Sequence, residues 1–295
     1  MEVKPIALVR ASNHYDGVWN SLSLLKDYVV PKLKEAKRIL VKPNFVTTRN
    51  IYAATHVEAV RAFLDFLVRY VGDRKVIIGE GPAFLDLEDG LRNYGYYELK
   101  DRYDIEFVDL NEDDYEVIKV YGPSLKEEIE VRVSKVALSS DLRVSICRPK
   151  THDTVMVTLS IKNLVMGAVQ KGDKSKVHQG YKAINLSLAK LAEHLMPHLS
   201  IIDGFEGMEG AGPTSGEPIK WGVAVAGTNA VEVDALTAWL MGFDPKEVGY
   251  LYYLWRKGLG NIEVDKIRVI GEEPSKLRLK FKPHPTYLQQ LNWRI

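Results

Sequence analysis

Residues 38–79 read RILVKPNFVTTRNIYAATHVEAVRAFLDFLVRYVGDRKVIIG, and this stretch predicts a strand, a helix and a second strand. The two strands are short apolar runs, Arg38 to Lys42 and Lys75 to Gly79. Between them, residues 56–71 place apolar side chains three and four positions apart, as one face of a helix requires. A strand–helix–strand unit of this length is typical of parallel strands in a helix-covered sheet. The stretch therefore predicts an α/β fold.

The same alternation runs along most of the chain. Further strands are predicted at 6–10, 105–110, 142–147, 199–203, 221–226 and 266–270, and further helices at 18–36, 87–102, 154–167, 181–196, 230–241 and 245–256. Residues 115–133 predict a small antiparallel excursion. We therefore expect two α/β halves, residues 1–145 and 146–295, with mostly parallel sheets and a cleft between them. The boundary is soft because no linker separates the halves.

The composition excludes several classes of protein. The 295 residues carry 40 basic and 39 acidic side chains, so the net charge of +1 gives no overall reason to expect nucleic acid, although a basic patch can be local. Cys147 is the one cysteine, which excludes an intramolecular disulfide and a cysteine-ligated iron–sulfur cluster. No secretory signal stands out, and no apolar run approaches the ~20 residues of a membrane helix. We expect a cytoplasmic protein without a membrane partner.

Polar side chains follow two of the predicted strands. Lys42 and Asn44 come at the end of the strand ILV, and Glu80 follows the strand VIIG. Ligands of open α/β sheets bind at the carboxyl ends of the strands. These three side chains are therefore predicted to bind substrate, and an ordinary turn with an exposed lysine is the alternative.

Cations and proton-transfer groups are concentrated in residues 148–180, RPKTHDTVMVTLSIKNLVMGAVQKGDKSKVHQG. Lys162 and Asn163 have mostly apolar helical neighbours, and a lysine in such surroundings has a lowered pKa, which suits a base or an anion clamp. The catalytic candidates are Lys150, His152, Lys162 and His178, and Asn163 is a substrate-binding candidate. A snorkelling or ion-paired lysine and a surface histidine are the alternatives.

A glycine-rich stretch follows the predicted strand LSIID. Its acids, Asp203, Glu206 and Glu209, are predicted to bind a divalent metal ion, because carboxylates are the usual ligands of hard cations. The backbone amides of Gly210 and Gly212 are predicted to approach the substrate. The alternative is a long surface loop.

Asp234 lies on a predicted helix that is apolar almost all round. A buried carboxylate needs a partner, and we expect that partner to be Lys162 or Lys150. Asp234 is therefore a further catalytic candidate, with a structural role as the equal alternative.

Six short motifs occur in order along the chain: VKPN at 41–44, GEGP at 79–82, PKTH at 149–152, LSIKNLVMG at 159–167, IIDGFEGMEGAGP at 201–213 and VDALTAWLMG at 233–242. In these motifs the chain resembles the family called domain of unknown function 362, which implies no settled activity. Some of its members carry ferredoxin-like cysteine clusters, a pattern from which this chain departs. The lysines and histidines between two α/β halves are also similar to those of lactate racemases, which move a proton or hydride at a hydroxy acid with a nickel-containing cofactor.

The first hypothesis on function is an enzyme that acts on a small carboxylate or phosphate compound by isomerisation, racemisation or elimination. Its anion is held by Lys42, Asn44, Lys150 and Asn163. Lys162 and His152 move protons, and Asp203 with the glycine-rich stretch binds a divalent ion or substrate hydroxyl groups.

The second hypothesis is a non-catalytic binding factor. In it the basic residues 171–182 and 276–282 bind RNA phosphates, on a ribosome or within a homodimer.

Overall fold

The apolar runs form one ten-stranded sheet in the computed structural model, which describes residues 4–295. Its strands are β1 (Ile6–Arg10), β2 (Ile39–Lys42), β3 (Val76–Glu80), β4 (Ile105–Asp109), β7 (Leu142–Cys147), β8 (Lys150–His152), β9 (Met156–Thr158), β10 (Leu199–Glu209), β11 (Glu217–Gly227) and β12 (Val269–Gly271). The order across the sheet is β12-β1-β11-β10-β7-β2-β3-β4, with β8 and β9 attached beside β10. The strands β5 (Tyr115–Tyr121) and β6 (Glu128–Ser134) form a separate antiparallel ribbon.

Most neighbouring strands run parallel. β10, β7, β2, β3 and β4 form one parallel block, and β12 is parallel to β1. The exceptions are the hairpin of β10 and β11, the pair of β1 and β11, and the short pair of β8 and β9. The predicted fold class, α/β with a mostly parallel sheet and a small antiparallel excursion, is confirmed.

Helices cover both faces of the sheet, which is why the strands are apolar without alternation. The helices are α1 (His14–Leu24), α2 (Lys26–Glu35), α3 (Val57–Val71), α4 (Leu87–Asn93), α5 (Lys135–Ser139), α6 (Ser160–Ala168), α7 (Lys174–Val177), α8 (Tyr181–Leu195), α9 (Ala230–Leu240), α10 (Gly249–Arg256) and α11 (Tyr287–Gln290). Successive strand residues point to opposite faces: Val41 and Ile78 pack in the core with α1, α2 and α3, whereas Leu40 and Ile77 belong to the core with α6, α8, α9 and α10.

Strands from both predicted halves join this one sheet. β11, β10 and β7 lie between β1 and β2, and the expected boundary after residue 145 falls inside β7. The two halves therefore share a sheet and the cores on its two faces.

Three local predictions were wrong. Residues 18–36 belong to two helices, α1 and α2, with Leu25 between them. The predicted helix at 154–167 begins with the strand β9, and only α6 is helical. The glycine-rich stretch is strand up to Glu209, because Gly204 and Gly207 serve close packing: a Cβ on Gly204 would lie 3.0 Å from the carbonyl oxygen of Val223.

The parallel block aligns the carboxyl ends of β2, β3 and β7 at one edge of the sheet. Lys42 ends β2 and Glu80 ends β3, so two of the predicted site residues lie on adjacent strands. The candidate site is built at this edge, as in other open α/β sheets.

Candidate functional site

A buried ion pair joins the ends of β2 and β3. Lys42 Nζ lies 2.6 Å from Oε1 of Glu80 and also donates to the carbonyl of Pro43 at 2.7 Å and to Oδ1 of Asn163 at 3.0 Å. These three acceptors match the three donors of an ammonium group. Lys42 is fully buried, and burial lowers its pKa although Glu80 opposes this. Lys42 therefore has no N–H group left to bind a substrate, contrary to the prediction. It holds other residues of the site in place.

Asn163 is fixed by the same network. Its Nδ2 donates to the carbonyl of Lys42 at 3.1 Å and to Oγ of Ser145 at 3.0 Å, while its Oδ1 accepts from Lys42. The side chain lines the cavity described below, but its amide group is fully used within the protein. Asn163 therefore positions helix α6 and does not have the free amide group that the predicted substrate contact requires.

Asp234 holds the start of α6. Its two carboxylate oxygens accept from the backbone N–H groups of Ser160 and Ile161, each at 2.9 Å. The expected pairing of Asp234 with Lys162 or Lys150 was wrong, because the free N–H groups of a helix N-terminus satisfy the buried acid instead. Burial raises the pKa of Asp234 to about 8, against the effect of these two hydrogen bonds. Asp234 does not line the cavity, so its contacts are structural.

We expect Asp234→Asn to lower the free energy of unfolding by about 1–2 kcal/mol, because one buried N–H group then faces an NH₂ group instead of an acceptor. Urea unfolding measures the change. Asp244→Asn is the matched control: Asp244 accepts from the backbone N–H of Lys246 at an exposed turn, where water replaces the lost bond. An equal, small effect of both substitutions would contradict the role of Asp234 at α6.

A cavity of about 620 Å³ opens beside α6 and the ends of β2 and β3. Its polar wall includes Lys162, Lys174, His152, His178 and Glu80. Its remaining wall is largely apolar and includes residues from the loops after β2 and β3. The structure therefore brings three of the five predicted catalytic side chains, Lys162, His152 and His178, to one cavity.

Lys162 lines the cavity with no hydrogen-bond or ion-pair partner among residues 4–295. Its side chain is buried. Burial lowers the pKa of Lys162 to about 8, and the positive charge of Lys42 acts in the same direction, against Asp153. A buried ammonium without a partner is costly, so its counter-charge is expected from a ligand.

His152 is held in one orientation at the end of β8. Its Nδ1 lies 3.0 Å from the backbone nitrogen of Thr154 and 2.9 Å from Oδ1 of Asp153. The backbone N–H of Thr154 donates to Nδ1, whereas the Asp153 carboxylate accepts a proton from it, so the two contacts favour opposite tautomers of the ring. Burial, with the charge of Lys162, lowers the pKa of His152 to about 3. The ring is thus a neutral hydrogen-bond donor at neutral pH, and a weak base.

His178 has an assigned tautomer. Its Nδ1 lies 2.8 Å from the carbonyl oxygen of Lys174, which only accepts, so Nδ1 carries the proton and Nε2 is free to accept one. The side chain is exposed where it lines the cavity, but desolvation by the surrounding protein and the charge of Lys162 lower the pKa of His178, so the ring is neutral at neutral pH. The rings of His152 and His178 are 6.5 Å apart between centroids.

Two further polar groups in the wall were missed from the sequence. Lys174 donates to the carbonyls of Met166, at 2.8 Å, and Val169, where α6 ends, and burial lowers its pKa to about 7. Thr158 Oγ1 is buried and has no hydrogen-bond partner within residues 4–295. Lys174 lies in a polar run that is typical of a solvated loop, so only the position of the end of α6 reveals its role.

Lys150 lies outside the cavity, contrary to its predicted catalytic role. It is fully buried, and its Nζ donates to Oδ1 of Asn44 and to the carbonyl of Ala53. Burial lowers the pKa of Lys150 to about 7. Because Oδ1 of Asn44 faces Lys150, the Nδ2 group of Asn44 is oriented away from it, and Asn44 lines the cavity. Lys150 therefore orients Asn44, whose contact with a substrate stays a prediction.

The glycine amides are also used within the protein. Gly210 N donates to the carbonyl of Lys282 at 2.8 Å, and Gly212 N donates to the carbonyl of Gly210 at 2.8 Å. Neither glycine lines the cavity, whereas the next residues, Pro213 and Thr214, do. The prediction that these amides are open to a substrate was wrong, because the C-terminal segment occupies the amide of Gly210 and the turn after β10 occupies that of Gly212.

The three predicted metal ligands do not converge. Asp203 and Glu206 lie on the two ring nitrogens of His14, at 2.7 Å from Nδ1 and 3.7 Å from Nε2. Glu206 also pairs with Arg148 at 3.2 Å, and Glu209 accepts from the backbone N–H of Lys282. Over residues 4–295, no group of three or more His, Cys, Asp or Glu side chains is arranged to hold a metal ion. The three acids are thus engaged by other side chains and by the backbone, and the metal site stays a prediction.

Four of the basic residues of the second hypothesis are engaged locally. Lys174 points inward, Lys176 pairs with Asp173 at 2.9 Å, and Lys171 contacts the carbonyl of Leu85 at 3.3 Å. Lys282 pairs with Glu217 at 3.1 Å. These contacts do not favour RNA binding by this segment.

Fold and site together define an α/β protein with a lysine-rich cavity at its strand ends. The chain belongs to the family described as domain of unknown function (DUF362), whose model matches residues 39–239. It is 26% identical over 305 residues to the thylakoid-associated protein sll1697 of Synechocystis sp., a match that covers 99% of this chain and 88% of the relative.

A solved structure shares the fold. The lactate racemase apoprotein of Thermoanaerobacterium thermosaccharolyticum matches with a TM-score of 0.52 and 15% identity, over 75% of this chain. The match covers 54% of that protein, so the chain spans about half of its length. Both predicted resemblances are thus confirmed, the second for the fold alone. Of the helices in residues 4–295, none has the length and apolar character needed to cross a membrane.

Proposed function

We propose that this protein is an enzyme that binds a small carboxylate or phosphate compound in the cavity and transfers a proton next to the anionic group. Isomerisation, racemisation and elimination are reactions of this kind. The observation that carries the proposal is Lys162, a buried ammonium without a protein partner at a cavity wall. A group of this kind is unfavourable in the free protein and becomes favourable once an anion is bound.

The neighbouring side chains supply further contacts for the anion. Nδ2 of Asn44 is a neutral donor in the cavity wall, the neutral ring of His152 adds a second polar group, and Lys174 adds positive charge. Because these groups are fixed by Lys150, by the Thr154 amide and by the end of α6, they need little reorganisation when the anion binds.

Two groups are suited to proton transfer. His178 presents an unprotonated Nε2 at neutral pH and acts as the base, while the Lys162 ammonium acts as the acid. A pKa of about 8 keeps Lys162 mostly protonated at pH 7 and still able to give up its proton. His152, which is a weak base, holds the anion. This assigns His152 a binding role in place of the proton transfer expected from the sequence.

The test is hydrogen exchange at carbon. The wild-type protein is incubated in D₂O with separate panels of carboxylic acids and phosphate esters, and deuterium at carbon is measured by mass spectrometry. We expect Lys162→Met to slow the exchange at least 100-fold, because acid–base catalysis by a positioned group contributes roughly 100- to 10,000-fold. Lys119→Met, at an exposed lysine on the ribbon, is the control and is expected to keep the wild-type rate. Exchange that is unchanged in Lys162→Met would contradict the proposal.

A further inference from the structure

We propose that the ligand of this cavity is an acid that carries both a hydroxyl group and an apolar body, and that the cavity discriminates against amino acids and three-carbon acids. The inference rests on the proposed function, since it places the acid group at Lys162. It adds two features of the ligand, the apolar body and the hydroxyl group, which are inferred from side chains other than Lys162.

The apolar body follows from the size and lining of the cavity. A volume of about 620 Å³ lies within the roughly 300–1,000 Å³ of pockets that hold whole small molecules. Its wall includes Phe45, Val46, Phe84 and Met166. A three-carbon acid at Lys162 would leave this apolar wall in contact with water. An apolar body that covers the wall gains free energy in proportion to the area removed from water.

Phe84 is the side chain best placed to select this body. It lies on the loop after β3, lines the cavity and is 58% exposed, which is high for a phenylalanine. The next residue, Leu85, has a φ of 66°, a left-handed conformation that costs energy in a branched residue. The loop thus holds an aromatic ring at the cavity mouth, where a bound apolar group would bury it.

The hydroxyl group follows from Glu80. Its Oε1 accepts from Lys42 Nζ and from the backbone N–H of Phe45, at 2.6 and 3.0 Å. Its Oε2 is buried, and within residues 4–295 no donor reaches it. Because Glu80 lines the cavity, a ligand can supply the missing donor. A buried acceptor left unpaired costs about 1–3 kcal/mol, so a ligand that pairs with it is selected.

A hydroxyl group fits this acceptor better than an ammonium group. The charge of Glu80 is already balanced by Lys42, and Lys162 and Lys174 lie in the same wall. The ammonium group of an amino acid would be repelled by these two lysines. Thr158 Oγ1, which is also buried and unpaired, offers a second partner for a neutral polar group.

The experiment is calorimetric titration at pH 7 with four probes: racemic 3-phenyllactate, lactate, 3-phenylpropionate and phenylalanine. Lactate lacks the apolar body, 3-phenylpropionate lacks the hydroxyl group, and phenylalanine replaces it with an ammonium group. We expect 3-phenyllactate to bind at least about 10-fold more tightly than each of the others, in line with the discrimination that single groups provide. If lactate binds as tightly as 3-phenyllactate, the inferred need for an apolar body is wrong. If 3-phenylpropionate or phenylalanine binds as tightly as 3-phenyllactate, the inferred need for a hydroxyl group is wrong.

A variant of Phe84 tests whether this side chain contacts the apolar body of the ligand. Phe84→Ala is expected to weaken 3-phenyllactate binding about fivefold to tenfold and to leave lactate within about twofold. Tyr115→Ala, which removes an exposed aromatic side chain outside the cavity, is the control and should change neither. An equal loss for both ligands in Phe84→Ala overturns the role of that ring. The hydroxyl contact is tested with the wild-type protein by the probe comparison, so it does not depend on a Glu80 variant that folds.

The outcomes separate this inference from the proposed function. If no probe binds, the inferred ligand class is wrong, while Lys162-dependent exchange on another acid or phosphate ester still supports the function. If 3-phenyllactate binds Lys162→Met as tightly as wild type, the acid group is not at Lys162. That result overturns the inference even where exchange depends on Lys162.

Discussion

Lys162→Met is expected to raise the free energy of unfolding by about 1–3 kcal/mol while it abolishes anion binding. The lowering of the pKa of Lys162 from 10.5 to about 8 means that the folded protein disfavours the charged form. At roughly 1.36 kcal/mol per pKa unit, the penalty is about 3 kcal/mol. Methionine is also unbranched, is shorter by the ammonium group and carries no charge. Stability gained with loss of activity is a common trade-off at functional sites.

The pH dependence of this gain follows from linkage. Below a pH of about 8 Lys162 is protonated in both the folded and the unfolded state, so the full penalty is present. Between about 8 and 10.5 the folded protein has released the proton that the unfolded chain still holds, and wild-type stability rises relative to the variant. The difference between the two proteins therefore shrinks as the pH rises through this window.

Urea unfolding of both proteins at pH 7 and pH 9.5, with Lys119→Met as the control, measures the gain and its pH dependence. The exposed Lys119 is expected to show neither a gain nor a dependence on pH. A variant that is less stable than wild type at pH 7 would mean that the Lys162 ammonium already has a stabilising partner in the free protein.

The parallel block of the sheet and the polar ends of its strands are predictable from the sequence. Apolar runs without alternation indicate strands that are buried on both faces, and parallel strands bring their carboxyl ends to one edge. The proximity of Lys42 to Glu80 follows from these two facts. So does the grouping of His152 with Lys162, because β8 and α6 are close in the chain.

The partners of buried charges are not predictable in the same way. The apolar surroundings of Asp234 correctly indicate burial, but a helix N-terminus and a lysine satisfy a carboxylate equally well, and only the packing of α9 on α6 decides between them. Lys150 has polar neighbours in the sequence and Lys162 mostly apolar ones, yet both side chains are buried. One is enclosed with Asn44 and the other faces a cavity, a difference that arises from contacts between distant segments.

The prediction for the glycine-rich stretch after LSIID was wrong for a related reason. In the sequence, a glycine in a loop looks the same as a glycine that lies beneath a packed side chain. At Gly167 a Cβ would lie 2.0 Å from Cε of Lys42, so this glycine makes room for the buried lysine. The sequence shows that position 167 lacks a side chain. It does not show which neighbouring residue needs the space.

Glu80→Ala is expected to lower the free energy of unfolding by about 3–5 kcal/mol, the range found when one partner of a buried ion pair is removed. Lys42 is fully buried, and Glu80 provides its only carboxylate contact within residues 4–295. Without Glu80 its pKa falls further, and the lysine is driven towards its neutral form. The loss of stability should therefore diminish as the pH rises, because a neutral Lys42 needs no counter-charge.

The double variant Lys42→Met/Glu80→Leu distinguishes lost charge balance from lost packing. Replacing both partners with apolar side chains removes the uncompensated charge, and such replacements are often neutral or stabilising. We expect the double variant to recover part of the stability lost in Glu80→Ala when both are measured by urea unfolding, because Oδ1 of Asn163 and the N–H of Phe45 still lose their partners. A double variant as unstable as the single one would show that the shape of the network around Asn163, and not its charge, holds the ends of β2 and β3 together.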